Sequence, residues 1–136
     1  MGPHGWRSKR PVVAAVLAVL SAMQGPVLGQ TVEDGSDAAL GPADTGTVLP
    51  LIGRNLNSPD AKVSVLRRRD GLYVCGSVNV KNRDGLYTGE RGFLVDLRTR
   101  EFGRVPDGPE LLNPRAEGFR EKEAIRASYF RLCLND

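Results

Sequence analysis

The sequence predicts a small α+β domain: an antiparallel sheet of three to four strands, a short N-terminal helix and a C-terminal helix, tied by one disulfide. Three observations predict it. Runs between residues 61 and 105 alternate apolar and polar side chains with the period of half-buried strands. Residues 115–132 switch to helical spacing, with Ile125, Tyr129, Leu132 and Cys133 on one stripe. Two cysteines, Cys75 and Cys133, lie in the best strand and at the end of that helix.

The chain opens with Arg7, Lys9 and Arg10, followed by an apolar run from Val12 to Met23 broken only by Ser21. Spanning a bilayer takes about twenty residues, more than this run holds. A basic flank, a short apolar core and small residues form the pattern of a signal peptide. Pro26 breaks any helix after the run. Val27 and Gly29 place the cut after Gly29, leaving Gln30 first. Residues 1–29 are therefore read as a signal peptide and the mature chain as periplasmic or extracellular. Membrane contact comes only through the uncleaved segment. The alternative is a retained anchor, if the run extends to Leu28.

Removing that segment changes the chemistry. His4, Trp6, Met1 and Met23 all go with it. Arg7, Lys9 and Arg10 are three of the 19 basic residues, and all 16 acidic residues lie beyond them, so the mature chain is formally neutral. The basic balance of the precursor is thus no signal for nucleic acid. Without histidine, the commonest general base and the commonest zinc ligand are gone.

Residues 30–47 are rich in Gly, Ala and Asp and carry Glu33, Asp34, Asp37 and Asp44, which reads as an acidic, disordered lead. Residues 48–136 then form a single domain. Residues 48–57 suit a short helix ending before Ser58-Pro59. Strands are expected over 61–66, 72–80 and 92–97, with a short fourth over 101–105. In the central strand Leu72, Val74, Val78 and Val80 share one face, and Tyr73, Cys75, Ser77 and Asn79 the other. Asn113-Pro114 is a cap and first-turn pair for the last helix. A disulfide between Cys75 and Cys133 is expected in an oxidising compartment; pairing between chains or a free thiol is the alternative. The bond favours the Cys75 face for the final helix and the valines favour the other, with a bulge at Gly76 as the means of reconciling them.

Arg69-Asp70-Gly71-Leu72-Tyr73 recurs as Arg83-Asp84-Gly85-Leu86-Tyr87. Asp-Gly is a strong turn signal, and the two copies read as turns at the same end of the sheet. The triplet Arg67-Arg68-Arg69 reads as a charged, solvated strand edge, since no aromatic interleaving supports nucleic-acid stacking.

Catalytic and metal motifs are absent. A calcium loop laid on residues 80–91 lacks both anchoring oxygens, because Val80 and Arg91 stand at its ends. Ser77 and Lys81 are roughly 13 Å apart if the strand is extended. Glu117 and Glu121 form an i, i+4 carboxylate pair among Arg115, Arg120 and Lys122, the pattern of a solvated helix face. No metal site and no cofactor are implied.

The distinctive segment is 75–89, in which Asn79, Lys81, Asn82, Tyr87 and Thr88 gather many donors and acceptors. One reading is a polar recognition surface at a strand end; the other is a wide turn whose asparagines bond backbone while Tyr87 packs over it. The segment Cys75-Gly76-Ser77-Val78-Asn79-Val80-Lys81-Asn82, with Tyr87-Thr88-Gly89, resembles a group of short exported bacterial proteins of uncharacterised function. Their pattern runs Cys-Gly-x-Val-Asn-x-Lys-Asn and then Tyr-x-Gly. The resemblance covers roughly residues 50–134 and takes in Ser58-Pro59-Asp60-Ala61, Phe93 and Cys133. Leu86 stands where the group has a second glycine. The group supplies no activity to carry over. The expected function is a non-catalytic binding or accessory module that meets a protein or a small polar ligand. The alternative is a small envelope hydrolase using carboxylates or Lys81.

Overall fold

The structure, a computed structural model, describes residues 30–135; the expected signal segment lies outside the described residues. Five strands form one sheet in chain order: β1 Thr31–Val32, β2 Lys62–Arg69, β3 Tyr73–Lys81, β4 Tyr87–Asp96 and β5 Glu101–Arg104. β2 to β5 make an antiparallel meander, while β1 pairs parallel with β2, so the sheet is mixed. Helices α1 Ser36–Leu40 and α2 Pro42–Leu56 lie between β1 and β2; α3 Phe119–Cys133 ends the chain. The class is α+β as expected. The strand count and the N-terminal helix differ from expectation, and both differences arise in the lead.

Residues 30–47, expected to be disordered, carry β1, α1 and the start of α2. Composition misleads here because the few apolar residues of the lead, Val32 and Leu40, pack against the core while hydrogen bonds to β2 order the rest. Thr31 N–H donates to the Ala61 carbonyl at 3.1 Å and Glu33 N–H to that of Val63 at 2.8 Å. β2 then bulges between Ser64 and Arg67, and Val65 sits at φ 55°. The displaced N–H groups need new acceptors. The Asp34 carboxylate takes Val65 N–H at 2.8 Å, and the Ser36 hydroxyl takes Leu66 N–H at 2.9 Å. The acidic lead thus stands in for a missing neighbour strand along an edge that would otherwise be open. Pro42 then opens α2 at its first turn, where a missing N–H costs nothing.

The two faces of the sheet are covered by different helices. Val48, Leu51 and Ile52 of α2 pack on Val63, Leu66, Val74, Val78, Phe93 and Val95. Leu132 and Cys133 of α3 pack on Cys75, with Tyr73, Leu94 and Tyr129 around them. The valine face and the cysteine face of β3 therefore do not compete, so no bulge has to reconcile them. The bulge at Gly76 is nonetheless there, on the neighbouring strand: Val65 and Leu66 of β2 stand opposite Gly76. Towards β4 Gly76 stays in register with Phe93, and a Cβ would fall 2.6 Å from that ring. Gly92 and Gly103 do the same for α3, admitting Tyr129 and Ile125 against bare backbone. The disulfide joins Cys75 to Cys133 with a Cα–Cα distance of 5.8 Å.

Two turn assignments change. The Asp-Gly turns lie at opposite ends of the sheet, as successive hairpins of a meander must. The final helix starts at Phe119 because Gly118, at φ 80°, breaks the run; Asn113 instead accepts Arg115 N–H at 3.0 Å within its own turn. Glu117 consequently falls ahead of α3 and does not share a helix face with Glu121.

A β-branched residue in left-handed backbone carries strain of about 1–3 kcal/mol. Val65 is half exposed, so its side chain contributes little in return. Val65→Gly is expected to raise stability by about 1 kcal/mol after glycine's own entropic penalty. A urea midpoint that falls instead contradicts the strain.

Candidate functional site

The five polar residues of the distinctive segment separate into two groups. Asn79, Asn82 and Thr88 build backbone. The Asn79 side-chain carbonyl accepts Gly89 N–H at 2.9 Å, beside a register shift between Asn79 and Lys81. The Thr88 hydroxyl donates to the Val80 carbonyl at 3.1 Å. The Asn82 side-chain carbonyl accepts Asp84 N–H at 2.9 Å and Leu86 N–H at 3.1 Å, while Asn82 N–H donates to the Leu86 carbonyl at 2.8 Å. Asn82 is also why identical pentapeptides turn differently. The first copy makes a tight turn with Asp70 and Gly71 both at positive φ. In the second copy the preceding residue is Asn82 rather than Arg68, and its carboxamide opens the loop.

Lys81 and Tyr87, opposite each other on β3 and β4, do converge. Lys81 Nζ lies 3.1 Å from Asp60 Oδ2, and the Tyr87 hydroxyl donates to the Asp60 backbone carbonyl at 2.9 Å. Lys62 Nζ sits 4.1 Å from the Tyr87 ring centroid and Lys81 Nζ 5.4 Å from it. Lys62 also lies 3.9 Å from Glu33. Asp60 and Lys62 were missed as partners. The signal for Asp60 was its place in the Ser58-Pro59-Asp60-Ala61 segment, at the mouth of β2 beside the Tyr87 hairpin.

The electrostatics oppose a catalytic lysine. The Lys81 ammonium, hydrogen-bonded to Asp60, holds that carboxyl below the usual range; Asp60 in turn holds Lys81 above the usual lysine value. A general base needs the reverse shift. Each lysine here also faces a carboxylate, so the cluster has no surplus charge for an anionic ligand.

A large hollow lies elsewhere. A groove of about 1030 Å³ runs along the side of α2 away from the sheet, between α1, Gln30 and the loop at 57–59. Its floor is Pro42, Gly46, Leu49, Pro50 and Gly53, positions where a surface helix ordinarily carries charge. Arg54 and Asp37 stand among its lining, and no ion pair engages either among the described residues. A second hollow of about 420 Å³ separates α3 from β4 and β5, with Asp96, Glu101 and Glu121 along it. Among the described residues no group of three or more His, Cys, Asp or Glu side chains could hold a metal ion, and no helix is long and apolar enough to cross a membrane.

Comparison with known proteins finds no family model, no curated protein and no solved structure that matches this chain.

The Asp60–Lys81 pair has a defined pH window. With its folded value depressed, Asp60 contributes fully above the ordinary carboxylate value, and the contribution is lost as pH falls through the folded one. With its folded value raised, Lys81 contributes fully below the ordinary lysine value and loses that contribution as pH rises through the folded one. Tyr87 ring resonances are therefore expected to stay flat across neutral pH, with an acid inflection that Asp60→Asn abolishes. An inflection near neutrality contradicts the pairing.

Proposed function

We propose that this chain is an exported, non-catalytic binding or accessory module, and that its ligand is an apolar polypeptide segment of a partner protein lying along α2. The observation that carries the reading is the apolar groove on the solvent side of that helix. Pro42, Leu49 and Pro50 leave apolar surface along that groove, and Leu49 also packs against the core beneath it. The volume is of the order that ligand sites occupy, with a few polar groups around an apolar floor. Gln30 and Asn57 offer carboxamides to a peptide backbone, while Arg54 and Asp37 offer opposite charges to set its direction.

The export reading rests on the basic-then-apolar opening of the sequence, and a buried disulfide supports it, since such bonds persist in oxidising compartments. The resemblance of residues 50–134 to short exported bacterial proteins belongs to the same reading. A hydrolase using Lys81 draws no support from the geometry, because that lysine is stabilised as a cation.

The test is selection of a displayed peptide library on the folded protein. Peptides with apolar side chains are expected to enrich, to lose at least tenfold in affinity on Leu49→Arg, and to bind Lys81→Ala and Tyr87→Ala unchanged. Peptides that respond to Lys81 and Tyr87 but not to Leu49 would move the binding surface to the β3–β4 hairpin. No enrichment at all would contradict a peptide-binding module.

A further inference from the structure

We infer that the backbone carbonyl of Gly46 is the acceptor on which the docked segment is fastened, through one of that segment's backbone N–H groups, and that Pro50 keeps this carbonyl open; the step rests on the peptide-binding reading of the α2 groove. Pro42, Gly46, Leu49, Pro50 and Gly53 follow one another at i, i+4, i+7, i+8 and i+11, so a single stripe of α2 forms the groove floor.

Covalent chemistry opens the carbonyl. In an α-helix the carbonyl of residue 46 accepts from the N–H of residue 50. Residue 50 is a proline inside α2 and has no N–H to give. Side-chain donors of the adjoining turn and of the groove end are engaged elsewhere. The Thr45 hydroxyl donates to the Gly41 carbonyl at 2.7 Å, the Thr47 hydroxyl to that of Ala43 at 3.2 Å, and Gln30 Nε2 to that of Ser58 at 3.2 Å.

Glycine at 46 leaves that carbonyl within reach. The residue is exposed, and a Cβ built on it would meet nothing within 4 Å, so no packing demands a glycine there. Gly53 is the contrast, since its missing Cβ admits the Gln30 side chain. Proline and glycine are the two poorest helix formers, and α2 sets them four apart on its solvent side, where they weaken the helix and bare its backbone. An acceptor without its helical partner fixes the chemistry of what lands on it: the occupant must bring a donor. A peptide backbone supplies one at every residue but proline, while its apolar side chains lie on Leu49 and Pro50. Once the groove is covered and water is excluded, an unmatched carbonyl is unfavourable, so the place of that N–H sets the register of the docked segment.

The test pairs Pro50→Ala with an apolar peptide that the unaltered protein binds, in which each backbone amide is replaced in turn by an ester, removing one N–H at a time. Pro50→Ala returns an N–H to position 50 and closes the helix bond on Gly46, so that variant is expected to melt at a higher temperature and to bind the peptide more weakly. One ester is expected to weaken binding to the unaltered protein by about fivefold, the scale of a single net hydrogen bond, and to have no effect on binding to Pro50→Ala. Affinity lost with the apolar proline ring lowers both Pro50→Ala measurements alike and leaves that difference intact. Esters that act equally on both proteins at every position, or a Pro50→Ala variant that binds the peptide as the unaltered protein does, overturn the inference and leave the peptide-binding reading standing. Absence of any bound peptide overturns both together.

Discussion

The bond between Cys75 and Cys133 secures the second face of a sheet whose central strand is buried on both sides. α2 holds its own face by packing: Val48 and Ile52 are fully buried and Leu51 nearly so. α3 has much less to offer. Of its 15 residues only Leu132 and Cys133 are buried, both in its last turn. Burying Leu132 contributes roughly 2 kcal/mol, and the half-buried Ile125 and Tyr129 on Gly103 and Gly92 add to it, yet the sum falls short of the conformational entropy of a helix that long. The disulfide spans 58 positions, and closing such a loop contributes about 4 kcal/mol in the chain-entropy model. Arg67 adds a second tie at the same place, donating to the Cys133 carbonyl at 2.8 Å, where a helix C-terminus favours a cation.

The arginine triplet follows from the same two-sided plan. Successive residues of a strand point to opposite faces. Arg67, opposite Cys75, reaches the end of α3; Arg68, opposite Val74, reaches Asp44 in the first turn of α2 at 2.8 Å. Run together in the sequence, the three read as a solvated edge. In the fold, neighbours in the triplet fasten different helices.

Much of this was legible where the signal was local and periodic. The alternation of β3 and the stripe of α3 follow from side-chain spacing, and the pairing of Cys75 with Cys133 from there being two cysteines in a chain read as exported. What was not legible depended on contacts across the chain. The valines and Cys75 pulled the final helix to opposite faces because the two expected helices were not assigned to separate faces. The helix expected over 48–57 in fact starts at Pro42, in a lead that composition alone marks as disordered. That lead is ordered by Asp34 and Ser36 meeting a bulge some thirty residues away, which no local pattern reveals. In the candidate site the asparagines were read correctly as polar and dense. Whether they face a ligand or their own backbone depends on the register shift at Asn79–Lys81, and register is a property of the paired strands. The groove was missed because Pro42, Gly46, Pro50 and Gly53 look like helix breakers rather than the floor of a binding surface.

The central claim is that each face of the sheet is held by a different means, α2 by packing and α3 by a covalent tie. Amide hydrogen exchange on the oxidised protein and on the Cys75→Ala/Cys133→Ala variant tests it most directly. The account predicts that amides of residues 119–133 lose their protection in the variant while those of α2 and of β3 keep much of theirs. Equal loss across both helices, or α3 still protected without the bond, would contradict it.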